Sequence, residues 1–284
     1  MCYSVIAIER EVLIMDMNDY IPECKDIFYK HERTENIPCD AYSMHTHGMY
    51  ELIYFLDGDA THVIEGKRYK LKKGDLLLIR PLQYHFIQID SPADYERYNI
   101  LFDAQRHSVE SVSLIPKEIE VISLANNPIA DDILRKTDYY RANCDFETFS
   151  KLLTHLLSEL FYNLSLTCAS SPKEMPTASH LLEKALRYIN ENLCTLRDVK
   201  EIAEKLFISE SYLYRLFKTE LRQTPKKYIT DKRLLMAQSM IENGERPASV
   251  YEKCGFGDYT AFYRSYKAFF GHAPSALTTY CPRT

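Results

Sequence analysis

The most constraining feature of this 284-residue chain is an internal repeat near its carboxyl end. The segment 209–225 is followed, 49 residues later, by the segment 258–274, which repeats its plan of aromatic, basic and apolar positions. Each copy opens with a residue type that commonly caps helices, Ser209 or Asp258. The matched pairs are Leu213 and Phe262, Tyr214 and Tyr263, Arg215 and Arg264, Phe217 and Tyr266, and Lys218 and Lys267. The spacing predicts one supersecondary unit used twice, with one apolar helical face in each copy.

A second shared pattern lies just upstream of each cap. The apolar pair Ile202-Ala203 precedes the first cap, and Val250-Tyr251 precedes the second. In both copies the face opposite the apolar one carries tyrosine, arginine and lysine. A short helix, a tight turn and a second helix with an exposed basic face form a helix-turn-helix. A plain helical bundle is the alternative, but it does not require the repeat, the caps and the basic faces to coincide.

The C-terminal part of the chain resembles the AraC/XylS-type transcription regulators, whose DNA-binding domain holds two helix-turn-helices. The signature of the second one reads here Gly255-Phe256-Gly257-Asp258-Tyr259-Thr260-Ala261-Phe262-Tyr263-Arg264-Ser265-Tyr266-Lys267, followed by Gly271 and Pro274. The resemblance covers about residues 180–284. The family favours a small residue where Tyr251 stands, and it often has glycine where Phe207 and Arg222 stand and arginine near Thr278.

The resemblance implies double-stranded DNA as a partner, with RNA polymerase as a further candidate. Solvent-facing residues near the start of a recognition helix reach base edges, and arginine is well suited to guanine. We therefore predict DNA contacts from the first recognition helix by Ser211, Tyr214, Arg215 and Lys218. From the second we predict contacts by Tyr259, Thr260, Ala261, Tyr263, Arg264 and Lys267, and in each helix the lysine is expected nearer the DNA backbone.

A long helix is predicted between the two modules. Thr224 is its expected cap, Pro225 its first residue and Gly244 its stop. Nineteen residues at 1.5 Å each span about 28 Å, which approaches the roughly 34 Å of one DNA turn. Ahead of the modules, a helix with its core face over 181–193 is expected, and Thr195 is the expected cap of the next helix.

Residues 35–105 are predicted to be β-structure, with a strand or two before them in 1–34. Short runs of aromatic and β-branched residues alternate with turn residues such as Asp57-Gly58-Asp59, which is typical of a sandwich or barrel. The predicted strands are 50–56, 60–64, 69–71, 76–79, 85–89 and 98–102.

Within this region the chain resembles the first cupin motif, His-x-His-x3-Glu-x6-Gly. The residues that carry the resemblance are His45, His47, Glu51 and Gly58, with His85 at the place of the second motif's histidine. The opening glycine of the motif is replaced by Cys39, and the second motif keeps Gly74 but has Arg80 and Leu82 where proline and glycine are usual. The resemblance implies a jelly-roll sensor domain, which many regulators of this type carry.

The four side chains His45, His47, Glu51 and His85 are therefore the candidate effector pocket. His45 and His47 lie two residues apart and, on a strand, would point to one face. Three imidazoles and a carboxylate suit a divalent metal such as Zn, Fe, Mn or Ni. The alternative is a metal-free polar lining for an organic effector, and the sequence leaves both open.

Residues 116–166 are predicted to be helical. A short helix is expected over 131–141, and apolar residues then recur at intervals of three and four from Phe146 to Leu164. In the family such helices pair two subunits, so we predict a homodimer, with a purely intramolecular core as the alternative. Residues 167–179 hold small polar residues and two prolines and are predicted to be a linker.

Charge separates the two halves of the chain. Residues 180–284 carry a net charge of +5 and residues 1–179 a net charge of −10, within a total of −5. A basic module joined to an acidic one suits a DNA-binding end and a body that does not contact phosphate. No apolar run of 18 residues predicts a membrane span, no signal peptide is expected, and eight scattered cysteines suit a cytoplasmic protein.

These features predict an α+β protein of two domains. Residues 1–115 form a cupin-like sensor and 116–166 a helical dimerisation segment packed on it, and residues 180–284 form an all-helical DNA-binding domain with two helix-turn-helices joined by a linker helix. The predicted function is effector-responsive, sequence-specific transcription regulation without enzymatic activity. A metal-dependent cupin enzyme with an accessory DNA-binding domain is the alternative.

Overall fold

Strands occupy the first half of the chain and helices the second. The computed structural model describes residues 27–37, 42, 44–91, 94–168 and 179–275. The strands are β1 (Phe28–Thr34), β2 (Tyr50–Asp57), β3 (Ala60–Ile64), β4 (Lys67–Lys70), β5 (Asp75–Ile79), β6 (His85–Ile89), β7 (Tyr95–Phe102) and β8 (Val121–Ser123). The helices are α1 (Pro128–Asn143), α2 (Phe146–Cys168), α3 (His180–Asn192), α4 (Val199–Lys205), α5 (Glu210–Leu221), α6 (Pro225–Glu242), α7 (Pro247–Lys253) and α8 (Tyr259–Phe270). The predicted fold class is confirmed.

The strands form two antiparallel sheets that face each other. One has the order β1-β7-β2-β5-β8 and the other β4-β3-β6. Successive residues of a strand point to opposite faces, so Ile53 and Phe55 of β2 pack inside the barrel, whereas Leu52 and Tyr54 pack outside it with residues of α1 and α2. Burial on both faces explains why β2 reads as a continuous apolar run rather than an alternating one.

The helical segment that follows the barrel differs in two ways from its prediction. It contributes β8, which pairs with β5 at the edge of the larger sheet. The apolar stripe of α2 is also largely buried within the single chain: Phe149, Leu153, Leu156, Leu157, Leu160, Phe161 and Leu164 all belong to the core shared with the barrel. Phe146, the first member of the stripe, is exposed. These buried residues pack the helix onto the barrel and leave only the outer face of α2 for a partner.

The caps of the C-terminal domain follow from local sequence. The side chain of Ser209 accepts a hydrogen bond from the backbone N–H of Tyr212, and that of Asp258 accepts one from the N–H of Ala261. Thr224 caps α6 in the same way and Pro225 is its first residue. The cap predicted at Thr195 was wrong, because Asp198 caps α4 instead. Glycine in the left-handed region at position 271 ends α8.

Three residues adopt a left-handed backbone where the resembled families commonly have glycine. The φ angles are 70° at Leu82, 56° at Phe207 and 52° at Arg222. A side chain in this region costs roughly 1–2 kcal/mol, because Cβ crowds the following carbonyl oxygen. Position 251, where the family favours a small residue, accommodates a tyrosine. The ring of Tyr251 is half-buried and packs edge-on against Tyr259.

The segments 1–26, 38–41 and 169–178 and the end from 276 lie outside the described residues. The predicted N-terminal strand appears in part as β1. Cys39, most of the predicted linker and Thr278 fall outside the described part of the chain.

Candidate functional site

His45, His47, Glu51 and His85 converge at one end of the barrel. Glu51 lies on β2 and His85 opens β6. His45 and His47 lie in the segment leading into β2 rather than in a regular strand. His45 joins His85 through a single antiparallel bridge, with both backbone N–O distances at 3.0 Å. One candidate ligand atom from each of the four side chains lies within 4.8 Å of the others.

A carboxylate oxygen lies at the centre of this cluster. Glu51 Oε2 is 3.0 Å from Nε2 of His47 and 2.9 Å from Nε2 of His85. The second contact is close, but its angles are not those of a hydrogen bond. Burial opposes ionisation of Glu51, but the adjacent imidazoles of His47 and His85 outweigh it and hold the pKa of this carboxyl well below its usual range. The cluster therefore carries a buried negative charge directed at two ring nitrogens.

The far nitrogens of these two rings are held by backbone carbonyls. His47 Nδ1 is 3.0 Å from the carbonyl oxygen of Met49, and His85 Nδ1 is 3.0 Å from that of Gln83. A neutral imidazole donates from one nitrogen only, so donation from Nδ1 leaves a lone pair on Nε2 facing the carboxylate. A proton or a cation between Nε2 and the carboxylate removes that repulsion. Backbone carbonyls on the outer nitrogen are also usual for metal-bound histidine, so the donor set fits a divalent transition metal.

A fourth histidine adjoins the cluster and was missed by the sequence prediction. The ring of His62 stacks on that of His85 with centroids 5.8 Å apart and an interplanar angle of 16°. Burial holds the pKa of His62 well below its ordinary value. Within the described part of the chain, neither ring nitrogen of His62 has a hydrogen-bond partner. Buried polar atoms are usually paired, so His62 offers two groups to a molecule inside the barrel.

Arg97 and Asn99 add polar groups on the same interior face. They pair with Phe55 and Ile53, which point into the barrel from β2. The guanidinium of Arg97 is buried and lies over the rings of Tyr42 and Tyr95, at 4.8 and 5.1 Å from their centroids. Among the described residues, Arg97 Nε and Asn99 Oδ1 have no hydrogen-bond partner. The interior thus combines an apolar lining with several unpaired polar groups, the usual character of a small-molecule site.

The alternation of β3 was the signal that could have found His62. Ala60 and Ile64 belong to the interior cluster of the barrel, and His62 lies between them with the same parity. Arg97 lay outside the predicted strand, which began at Tyr98 whereas β7 begins at Tyr95. Asn99 lay inside that strand, but its inward direction is seen only once β7 is paired with β2.

The first predicted recognition helix, α5, presents its basic face to solvent. Leu213, Leu216 and Phe217 are buried in the domain core. Ser211, Arg215 and Lys218 are exposed, and Tyr214 is half-buried against the core. The guanidinium of Arg215 lies 5.0 Å from the ring centroid of Tyr212, one turn earlier on the helix.

The second predicted recognition helix, α8, has the same division. Phe262 and Tyr266 are buried, whereas Tyr259, Thr260, Arg264 and Lys267 are exposed. Ala261 and Tyr263 are half-buried. Tyr259 also packs against Tyr251 and Phe262, with centroid distances of 5.7 and 5.9 Å, so its ring supports the turn as well as facing solvent.

The two modules are joined through α6. Arg233 of α6 donates from Nε to the carbonyl oxygen of Leu193, at 2.8 Å, and from a terminal nitrogen to that of Leu196. The same guanidinium lies against Gly255 in the turn of the second module, where an added Cβ would meet the carbonyl oxygen of Cys194 at 2.5 Å. A single arginine therefore links the loop between α3 and α4 to the turn of the second helix-turn-helix.

Two family models match the chain, one over each half. The family described as AraC-like ligand binding domain matches residues 30–183, and a helix-turn-helix domain family matches residues 202–279. The Msm operon regulatory protein of Streptococcus mutans is 25% identical over 80% of this chain and 82% of its own length. The transcriptional activator RhaS of Yersinia pestis is 23% identical over 84% of this chain and 90% of its own. The crystal structure of ToxT from Vibrio cholerae covers 89% of this chain and 98% of its own, at 14% identity and a TM-score of 0.39.

Among the described residues, no helix is long and apolar enough to cross a membrane.

The Streptococcus mutans and Yersinia pestis relatives are named as regulators of transcription. Because the AraC-like ligand binding family alone matches more than half of the chain, and a helix-turn-helix family matches most of the remainder, the chain belongs to the AraC family of effector-sensing transcription regulators.

Proposed function

We propose that this regulator reads two adjacent major-groove segments of DNA with α5 and α8, and that the polar cluster in its barrel is the effector site. The exposed basic face shared by the two helices supports the first part. The 18 residues of α6 span about 27 Å, close to the separation of successive major grooves on one side of the duplex. Arg215 and Arg264 are the proposed readers of guanine, and Lys218 and Lys267 the proposed phosphate contacts.

A selection of DNA duplexes from a random library with the purified protein tests this proposal. Arg215→Ala and Arg264→Ala should each weaken binding to the selected duplex by about 1–3 kcal/mol and relax the preference at one base pair. Lys218→Ala should weaken all duplexes alike and reduce the salt dependence by about one phosphate contact. Arg197, which is exposed but lies outside both recognition helices, provides the matched control. If Arg197→Ala weakens DNA binding as much as Arg215→Ala and Arg264→Ala do, the proposed recognition faces are wrong.

For the barrel we propose that His45, His47, Glu51 and His85 hold a divalent transition metal, beside which the effector binds. The observation that carries this proposal is the pair of rings whose Nδ1 atoms are held by carbonyls while their Nε2 atoms face one buried carboxylate. A bound metal would supply a positive charge at that point and an electrophilic contact for an oxygen or nitrogen of the effector. His62, Arg97 and Asn99 would contact the rest of the molecule.

Metal analysis after chelation and equilibration with zinc or nickel tests the site. The wild-type protein should retain about one ion per chain, and His47→Ala should retain none. His31→Ala is the matched control, because His31 is an exposed histidine of β1 paired with Glu96 and Asp138, and β7 separates β1 from β2 in the sheet. Retention by His47→Ala would show that the cluster is a metal-free polar lining. Turnover of a small molecule by the metal-loaded protein would instead favour the enzyme alternative.

We also propose that the regulator is a homodimer formed through the outer face of α2. Tyr162 and Leu166 lie one turn apart on this face and are 62% and 78% exposed. Exposed apolar residues adjacent on a helix suit a second copy of the same helix. Leu166→Glu should shift the sedimentation of a folded protein from dimer to monomer. An unchanged dimer would place the interface elsewhere.

A further inference from the structure

The ligand-binding barrel contacts the helix that joins the two helix-turn-helices. The ring of Tyr84, just before β6, is buried in the core of the first module and stacks on Tyr228 of α6 with centroids 4.8 Å apart. Its hydroxyl donates to Asp231 Oδ2 at 2.7 Å.

Glu65, in the turn after β3, makes a second set of contacts with α6. Its carboxylate accepts from the hydroxyl of Tyr228 at 2.5 Å and lies 3.1 Å from Lys232 Nζ. It also accepts from the backbone N–H of Tyr84 at 2.9 Å. Glu65, Tyr84, Tyr228, Asp231 and Lys232 together form what we call the interdomain contact. Asp231 and Lys232 are buried charges on a linker helix, and burying a charge is costly unless a partner compensates it.

The surrounding surfaces fit closely. A Cβ added at Gly66 would lie 2.4 Å from a methyl carbon of Leu182 in α3. On the other side, the guanidinium of Arg222 lies 4.5 Å from the ring centroid of Phe86. Arg215 and Lys218 stay exposed in this arrangement. The contact therefore orients the linker helix without covering the recognition face of α5.

Tyr84 and Glu65 are the immediate sequence neighbours of β6 and β3, the paired strands beside the polar cluster. His85 follows Tyr84 in sequence, and Ile64, which precedes Glu65, is paired with His85 across the sheet. Successive residues of a strand point to opposite faces. His85 thus faces the barrel interior, while Tyr84 and Glu65 reach out of it to α6. A shift of β6 at the cluster moves Tyr84 as well.

We propose that the interdomain contact transmits occupation of the barrel to the linker helix, and so sets the relative placement of the two recognition helices. This inference rests on the proposed effector site. The ligand acts on His85 and its strand, the strand carries Tyr84 and Glu65, and these two residues hold or release α6. The contact changes the geometry with which α5 and α8 meet DNA rather than blocking either helix.

Hydrogen exchange on the full-length protein tests whether the contact holds α6. Tyr84→Phe keeps the ring and removes only the hydroxyl that donates to Asp231. Tyr98→Phe is the matched control, because its hydroxyl donates to Asp138 within the ligand-binding domain at a similar distance, 2.9 Å. A hydrogen bond to a charged group is worth about a tenfold change in an equilibrium. Amides of α6 should therefore exchange about tenfold faster in Tyr84→Phe and at the wild-type rate in Tyr98→Phe. Equal rates in the two variants would overturn the proposal.

A double-mutant cycle tests whether the contact carries the signal. Dissociation constants for a library-selected duplex are measured for wild type, Glu51→Gln, Tyr84→Phe and the double variant. Glu51→Gln should change the constant at least threefold in the wild-type background and less than twofold beside Tyr84→Phe. The same factor in both backgrounds, or no effect of Glu51→Gln alone, would refute transmission through this contact. If Tyr84→Phe does not fold, Asp231→Asn removes the same charged acceptor at equal size.

Failure of the proposed function has a different signature. If the wild-type protein selects no duplex, the proposal for DNA reading fails. If the cluster retains no metal, the proposal for the metal fails. In both cases the hydrogen-exchange result on α6 still decides whether the interdomain contact holds that helix.

Discussion

Phe207 occupies the turn between α4 and α5 with its backbone in the left-handed region, and its side chain is 95% exposed. Replacing it by glycine removes the Cβ crowding, which is worth roughly 1–2 kcal/mol. Glycine also makes the unfolded chain more flexible, which costs about 0.4–1 kcal/mol. Almost no burial is lost, since the ring lies in solvent. We expect Phe207→Gly to stabilise the DNA-binding domain by about 0.5–1 kcal/mol.

Urea denaturation of the full-length protein measures this gain. Phe207→Ala provides the control, because it removes the same ring but keeps Cβ, so the left-handed strain stays and the stability should hardly change. The backbone N–H of residue 207 can donate to the carbonyl oxygen of Glu204 whether the residue is phenylalanine, alanine or glycine. A glycine variant no more stable than the alanine variant would refute the assignment of strain to this turn. Arg222→Gly should gain less, since it also loses the contact with Phe86.

Three further outcomes test other parts of the structure. Leu160→Ala should cost about 2–5 kcal/mol in urea denaturation, because its side chain is fully buried against the barrel, and an unchanged stability would contradict that packing. Gly255→Ala should destabilise the domain by more than about 1 kcal/mol, because the added Cβ meets a backbone carbonyl at a positive φ, and equal stability of the two proteins would contradict that close approach. Burial raises the pKa of the Cys254 thiol to about 12, so at pH 8 it should be alkylated far more slowly than Cys194 in the native protein and at a similar rate in urea, as peptide mass spectrometry would show.

Local signals allowed the C-terminal domain to be predicted well. A helix cap involves a side chain and a backbone N–H three residues later, so Ser209, Thr224 and Asp258 could be identified without knowing the fold. The same holds for the apolar faces of α5 and α8, which recur at a fixed spacing. The cap at Thr195 failed because Asp198, three residues on, is an equally good capping residue and lies next to the first helical turn.

Features that depend on contacts between distant segments could not be predicted. The stripe of α2 shows that one side of the helix is apolar, but a barrel and a second subunit would bury such a stripe equally well. The alternation of β3 places His62 on the interior face, but only the pairing of β3 with β6 shows that its ring lies against His85. The burial of Asp231 and Lys232 is the clearest case, since charged residues on a linker helix are expected in solvent. Besides Lys227 on the same helix, their partners are Tyr84 and Glu65 of the barrel and Asn190 of α3, which are distant in sequence.

The interdomain contact also limits how such regulators can be recombined. A ligand-binding domain grafted onto a foreign DNA-binding domain would bring Glu65 and Tyr84 to a linker helix that lacks Tyr228, Asp231 and Lys232. The chimera could fold and bind both DNA and ligand, yet the two activities would be independent. The specificity of the sensor for its own output domain would therefore lie in these five side chains, and transplanting them together is the condition for a hybrid that still responds.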